Sequence, residues 1–563
     1  MTTRLPIRPE TQGLKTDGFC TPTQDRSPQR MVVPPRRVIP IVFLPGIMGS
    51  NLRMNAKMQK ALKKDNNIAW RPDRKMATSR MFDDSAGERQ LQLDPFSTEV
   101  DIFEPGEKNT GDPEESSEQR HDNGKIGVKI IVGRNSPLLA DDPANMPNGK
   151  SKERKAMERG WGEIFYGSYK ELLETCEVAL NLHHRFGMLS SVIGTDPKKW
   201  QCDASTNLAP ITEKEFLEAV KDCWFPVHAV GYNWLRSNKD SAKYVRKRIE
   251  NIMQFYTTAG YQCEKVVIVT HSMGGLVARA LVHPKIGAFE SCVLGIVHGV
   301  MPTVGAPAAY KRMRCGFEEE LMGLHPAPKV LGNFGFEVTA VLGNSPGGLE
   351  LLPSGAYGNG WLKIRQNGVL LCSLPQFGDP YAEIYKLDNG WHRLLNRDWL
   401  NPADIDEATF ERSCFFLDRA RDFHAAINGY FHPTSYAHYG ADQTRNSWEE
   451  VIWNIDRKYM GWDWSHLEIS EDDGKGTMVA KEHARTHPRS VKIGITLAPS
   501  TGPGDQTVPC KSSDHQLGKS AFKGVFRQTG YEHQKSFSDK NALDSTLYCL
   551  LRIIQTMTWC QRG

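Results

Sequence analysis

Ser272 lies in Val266-Val267-Ile268-Val269-Thr270-His271-Ser272-Met273-Gly274-Gly275, where a run of apolar β-branched residues meets a pair of glycines. A serine on a sharp bend between a buried strand and a helix exposes its hydroxyl, and an exposed hydroxyl can attack a carbonyl carbon. The hydroxyl is a weak nucleophile alone, so a histidine must take its proton and a carboxylate must orient that histidine. The bend needs small neighbours: Gly274 supplies one, and Gly275 lets the helix lie close to the strand. Thr270 stands where such bends usually carry glycine, and its branched side chain is expected to crowd the turn. A serine that merely caps a helix is the bland alternative, and it does not account for both flanks. His271 is adjacent to the serine, so its side chain should point away from the hydroxyl and not serve as the base.

Partners for Ser272 are sought downstream, because in the α/β-hydrolase arrangement the chain order is serine, acid, histidine. Gly494–Ala498 reads as a late strand, followed by Gly502-Pro503-Gly504-Asp505-Gln506-Thr507-Val508-Pro509. Asp505 is therefore the first candidate for the acid, and a plain Gly-Asp surface turn is the competing reading. Asp442, in Tyr439-Gly440-Ala441-Asp442, is second. His533, in Gly530-Tyr531-Glu532-His533 just ahead of the last helical pattern, leads for the base; His515 is nearer Asp505 in sequence but has no helix after it to fix it. Acyl transfer also needs two donors aimed at the oxyanion. One is the backbone N–H of Met273, after the nucleophile. The other is expected from Leu44-Pro45-Gly46-Ile47-Met48-Gly49, with Met48 preferred over Ile47, although those glycines could serve only a tight turn.

Three blocks carry the strand and helix patterns that would position these residues: 38–53, 225–309 and 434–563. Ile41–Leu44 reads as a buried strand. Strands near Phe225–Trp234, at Val266–Thr270 and at Cys292–Val300 alternate with a helix striped by Val245, Ile249, Ile252, Met253 and Tyr256. This alternation predicts an α/β fold, a parallel sheet with helices on both faces. A last helix presents Leu543, Leu547, Leu550, Leu551 and Ile554 on one face. Residues 54–224 and 310–433 read as insertions and candidate cap or lid elements, and 1–37 as a polar leader. The polar, acidic stretch 101–142 reads as loop.

Composition narrows the function. The 563 residues are 39% hydrophobic and 24% charged, ordinary for a globular chain, and a net charge of +4 gives no argument for a nucleic-acid partner. No apolar stretch approaches the ~20 residues of a membrane span, and residues 1–37 hold no segment that could act as a secretory signal. Twelve cysteines include no C-x-x-C pair, which argues against zinc or a disulfide framework. His483 and His487 have the spacing of a metal pair but lack the following glutamate, so neither metal nor cofactor is expected.

Phe43–Ser50, Gly231-Tyr232-Asn233-Trp234, Thr270–Gly275 and Gly504-Asp505-Gln506-Thr507-Val508-Pro509 together resemble the lecithin:cholesterol acyltransferase-like and GPI-inositol-deacylase-like lipases. Within that group the chain is most similar to bacterial type VI secretion phospholipase effectors. Gln506 departs from the acyltransferase pattern, which has glycine there. The resemblance implies Ser272, Asp505 and His533 as the triad and ester-bonded lipid at a phospholipid membrane surface as substrate. The missing secretory signal predicts a cytoplasmic origin, and joined to lipid chemistry it predicts contact-dependent delivery by type VI machinery to the periplasm or membrane of a target cell, with an immunity protein that protects the producer. Two rivals are an acyltransferase or GPI-type deacylase, and a non-catalytic binding protein on a hydrolase scaffold.

Overall fold

The computed structural model describes residues 7–10, 13–19, 28–33, 35–73, 84–106, 111–113, 115–123, 138–142, 144, 148–186, 191–318, 331–455, 467–482 and 491–560. Six strands form the central sheet: β1 (Ile41–Leu44), β2 (Val227–Ala229), β3 (Val266–His271), β4 (Val293–Gly299), β5 (Ser435–Gly440) and β6 (Phe522–Gln528). They lie in the order β2-β1-β3-β4-β5-β6. Every pairing is parallel. The fold is that of an α/β hydrolase.

The β-branched runs explain the sheet. A strand's side chains alternate between faces, and here both faces are dry. Val42, Leu44 and Ile268 join one buried cluster, whereas Ile41, Phe43, Val267 and Val269 join the other. Five helices matter to the site: α1 (Tyr166–Phe186), α2 (Asn238–Thr258), α3 (Gly274–Val282), α4 (Phe410–Ile427) and α5 (Lys540–Ile554). Val245 and Ile249 of α2 and Leu276 and Val277 of α3 cover the first face. Leu172, Leu173 and Cys176 of α1, with Leu547 and Leu550 of α5, cover the second.

Two expectations about these blocks need correction. Residues 54–224 are not only a rim insertion, because α1 carries an apolar stripe that closes one face of the sheet. The block 434–563 is not all core: Val451–Ile455, Glu468–Asp472, Thr477–Glu482 and Val491–Leu497 join Leu362–Gln366 and Val369–Leu374 in a second six-stranded sheet. The leader carries Ile7–Glu10, Gly13–Phe19 and Pro28–Val33, paired antiparallel in sequence order.

The acidic stretch 101–142 is not uniformly loop, for it contains helix Ser117–His121. Its Asp101 is 1% exposed, lying 2.7 Å from Arg71 and 3.6 Å from Arg120. Burial opposes the charge, but the two guanidinium groups hold its carboxyl below the usual range. His483 and His487 lie outside the described residues. Among the described residues no helix is long and apolar enough to cross a membrane.

Candidate active site

In a parallel sheet the loops after the strands gather at one edge, and four such loops build the site. β3 ends at His271 and α3 begins at Gly274. Ser272 between them adopts φ +52°, a left-handed conformation that costs a residue with a Cβ about 1–3 kcal/mol. Burying each large side chain of β3 contributes roughly 1.5–3 kcal/mol, so the strand outweighs the strain. The Ser272 N–H donates to Gly299 O at 2.8 Å, which fixes the bend against β4. A Cβ on Gly274 would lie 2.5 Å from the Leu44 carbonyl oxygen and one on Gly275 2.6 Å from Met301 Sδ. Gly274 thus lets the helix approach β1, and Gly275 makes room for the loop after β4. Thr270 does not crowd the turn, because β3 continues through it and the reversal begins only at Ser272.

Ser272 is 5% exposed and His533 9% exposed. His533 Nε2 lies 2.8 Å from Ser272 Oγ, and His533 Nδ1 lies 2.8 Å from Asp505 Oδ2. A carboxylate only accepts, so Nδ1 carries the proton and bare Nε2 accepts from the serine hydroxyl. Asp505 is 1% exposed. Its Oδ1 accepts from Val508 N at 2.7 Å and Thr507 N at 3.1 Å, and its own N–H donates to Ser447 Oγ at 3.1 Å. Gln506 takes φ +72°, which explains why glycine suits that position in the resembled pattern.

The strand expected to deliver Asp505, around residues 494–498, belongs to the second sheet instead. Asp505 returns to the central sheet through Gly502–Gly504, which pairs antiparallel with Asp442–Ser447 directly after β5. Gly440, the last residue of β5, leaves no space for a Cβ, which would sit 2.7 Å from Asp505 Cβ. Asp442, the second candidate for the acid, does not reach His533. Its Oδ2 accepts from Gly530 N at 3.0 Å and its Oδ1 from Thr444 N at 2.8 Å, so it anchors the start of the loop that carries His533. His515 lies in a separate surface cleft with Lys511 and Lys519.

Met48 takes φ +60°, and its carbonyl accepts from Trp70 Nε1 at 2.6 Å. Among the described residues neither the Met48 nor the Met273 N–H donates to another protein group. A cavity of about 130 Å³ opens beside Ser272, lined among others by Ile47, Met48, Ala309, Met313, Phe317 and Leu351. Arg312 bonds Glu318 at 3.0 Å and Thr507 of the Asp505 loop at 3.1 Å, tying residues 307–318 to that loop. Against its burial, Arg312 and Lys311 hold the Glu318 carboxyl down to about 2.

Two buried residues beside the site carry no signal in sequence spacing. His271 Nε2 lies 2.9 Å from the His533 carbonyl oxygen, and His271 Nδ1 lies 3.2 Å from the hydroxyl of Tyr169 on α1. Burial, then the neighbouring His533, pushes the His271 ring down to about 3. It is neutral at physiological pH and does not reach Ser272 Oγ.

Residues 234–322, which include Ser272, match the sequence profile of the PGAP1-like alpha/beta domain. A crystal structure of a Tle4–Tli4 complex holds a chain similar to this one at 30% identity and a TM-score of 0.71, over 93% of this chain and 99% of that one. No curated protein matches the chain.

Proposed function

The chain belongs to the family of Tle4 and carries a PGAP1-like α/β-hydrolase domain, and on that premise we propose that it is a serine lipase hydrolysing carboxylic ester bonds of membrane phospholipids. One observation carries the reading: Ser272 Oγ, His533 and Asp505 are linked at 2.8 and 2.8 Å beside an apolar cavity. In the reaction Ser272 Oγ attacks the acyl carbonyl while His533 Nε2 takes its proton. The carbonyl oxygen becomes an oxyanion held by the Met48 and Met273 N–H groups. Asp505 keeps the proton on Nδ1 and stabilises the imidazolium. The ester C–O bond then breaks, His533 returns its proton to the departing alkoxide, and an acyl-serine remains. Water, deprotonated by His533, releases the fatty acid and regenerates Ser272. The apolar walls suit an acyl chain better than a polar substrate.

Tle4 occurs in a complex with Tli4. By that likeness we assign this chain a protein partner that blocks it, an immunity protein, and delivery by type VI secretion into a target cell. The test is labelling by a fluorophosphonate, with product analysis on defined phospholipids in the presence and absence of an acceptor alcohol. Labelling that survives Ser272→Ala would remove the reading. Acyl transfer to the alcohol in preference to water would replace hydrolase by transferase.

A further inference from the structure

We propose that Tyr169 and His271 are positioning residues that lock the base loop to the oxyanion loop, so that α1 belongs to the catalytic centre. This rests on the triad proposed above. The chain of contacts runs from the Gly46 N–H to Tyr169 Oη at 3.3 Å, from Tyr169 Oη to His271 Nδ1 at 3.2 Å, and from His271 Nε2 to the His533 carbonyl at 2.9 Å.

Every proton in it has one possible place. A carbonyl oxygen only accepts, so His271 Nε2 bears the hydrogen. The ring is neutral, hence Nδ1 is a bare lone pair, and the Tyr169 hydroxyl must donate to it. That leaves the tyrosine oxygen to accept from Gly46 N–H, and the Gln534 side chain reaches the same oxygen.

The groups are dry, with Tyr169 0% and His271 1% exposed, and hydrogen bonds gain strength where water is absent. Glycine at position 46 is what admits the arrangement, for a Cβ there would lie 2.7 Å from His271 Nδ1. Packing holds the rings as well: the Tyr169 ring lies 4.7 Å from that of Phe43 at a tilt of 57°, and the His271 ring 5.0 Å from that of His533.

The consequence is a base held at both ends of its own residue. His533 N–H donates to the Asp505 carbonyl at 2.9 Å, and His533 C=O receives His271. The far end of the lock is the loop that carries Met48. Proton acceptor and oxyanion donor are thus set against one another through Tyr169, and a misplacement of about 1 Å between such groups can lower a rate about a hundredfold.

Tyr169→Phe keeps the ring and deletes only the hydroxyl; His271→Ala removes the donor, and His271→Gln restores an N–H near the Nε2 position. Turnover of a soluble ester and the rate of fluorophosphonate labelling are measured for each, with thermal melting to show that it folds. The expectation is a fall in kcat of about tenfold for Tyr169→Phe and about a hundredfold for His271→Ala, with KM unchanged, and recovery to within about fivefold of the parent in His271→Gln. Adding Tyr169→Phe to His271→Ala should lower kcat no further, since one chain of bonds is already broken. If His271→Ala does not fold, Tyr169→Phe and His271→Gln decide alone. A kcat within twofold of the parent in Tyr169→Phe, an effect confined to KM, or multiplying effects in the double variant overturns the proposal. Ser272→Ala separates the two failures: labelling retained there overturns the nucleophile itself, whereas labelling lost there but undiminished in Tyr169→Phe overturns only the lock.

Discussion

Asp505 holds His533 twice, by its carboxylate at Nδ1 (2.8 Å) and by its carbonyl at the backbone N–H (2.9 Å). Only the first of these bonds depends on the side chain's charge. Asp505→Asn should therefore leave the loop in place while presenting the wrong group to Nδ1, and kcat should fall on the order of 10⁴-fold. Asp442→Asn, which touches the base loop only through Gly530, should lose less than about tenfold, with a stability loss of about 1 kcal/mol. Steady-state kinetics and denaturant melts check the pair, and the reverse ranking would show that Asp442 is the acid.

Thr270 is fully buried and its hydroxyl has no partner among the described residues. Thr270→Val removes that orphan group at constant shape and should stabilise the fold by about 1 kcal/mol. Thr270→Gly, which restores the usual bend residue, should instead destabilise by about 1–3 kcal/mol, because it leaves a void and loosens a central strand. Denaturant midpoints measure both.

Glu350 is 2% exposed and accepts from Asn238 N at the start of α2 at 2.6 Å. Burial first, then Asp240, pushes its carboxyl up to about 8 despite the bonds from Asn238. A raised acid favours the folded state only while protonated, so its contribution is complete below about 4.5 and is lost as pH rises through about 8. Glu350→Gln, neutral throughout, should match the parent in Tm near pH 4.5 and exceed it at pH 9. A Tm difference that stays constant over that range would remove the argument.

Residues of 307–318 and 342–351 line the cavity, and Arg312 ties the first of these segments to Thr507. An acyl site covered in water must open at a lipid surface. Specific activity should step up as a short-chain phospholipid passes its critical micelle concentration. A smooth, saturating curve through that concentration would count against a moving cap.

Expression directed to the periplasm of a bacterium without the partner should be toxic, and Ser272→Ala should abolish the toxicity. Growth of cells carrying the active enzyme at the parental rate would remove the effector reading and leave the lipase reading standing.

The central sheet was readable because its strands are buried on both faces, which forces runs such as Val266–Val269 rather than alternation. Ser272, Asp505 and His533 stood out because each lies in a glycine-containing loop at the end of a recognisable strand or ahead of a helix. Tyr169 did not: it lies 102 positions before His271, on a helix whose residues read as an ordinary apolar stripe. The second sheet was hidden for a related reason. Leu362–Gln366 pairs in parallel with Val451–Ile455, and a contact between distant segments leaves no local pattern in either. Asp101 does lie in loop, but the burial of its carboxylate against Arg71 and Arg120 is a contact that no local pattern shows.

The short antiparallel pairing of Asp442–Ser447 with Gly502–Gly504 works as the stem of a long hairpin-like excursion. Ser447, where the excursion leaves the stem, accepts from the Asp505 N–H, and Trp448 beside it donates to Glu318, which Arg312 links to Thr507. Asp472 of the excursion also pairs with the buried Arg314 at 2.7 Å, so a change within residues 448–501 would be felt in the segment 307–318 that lines the cavity.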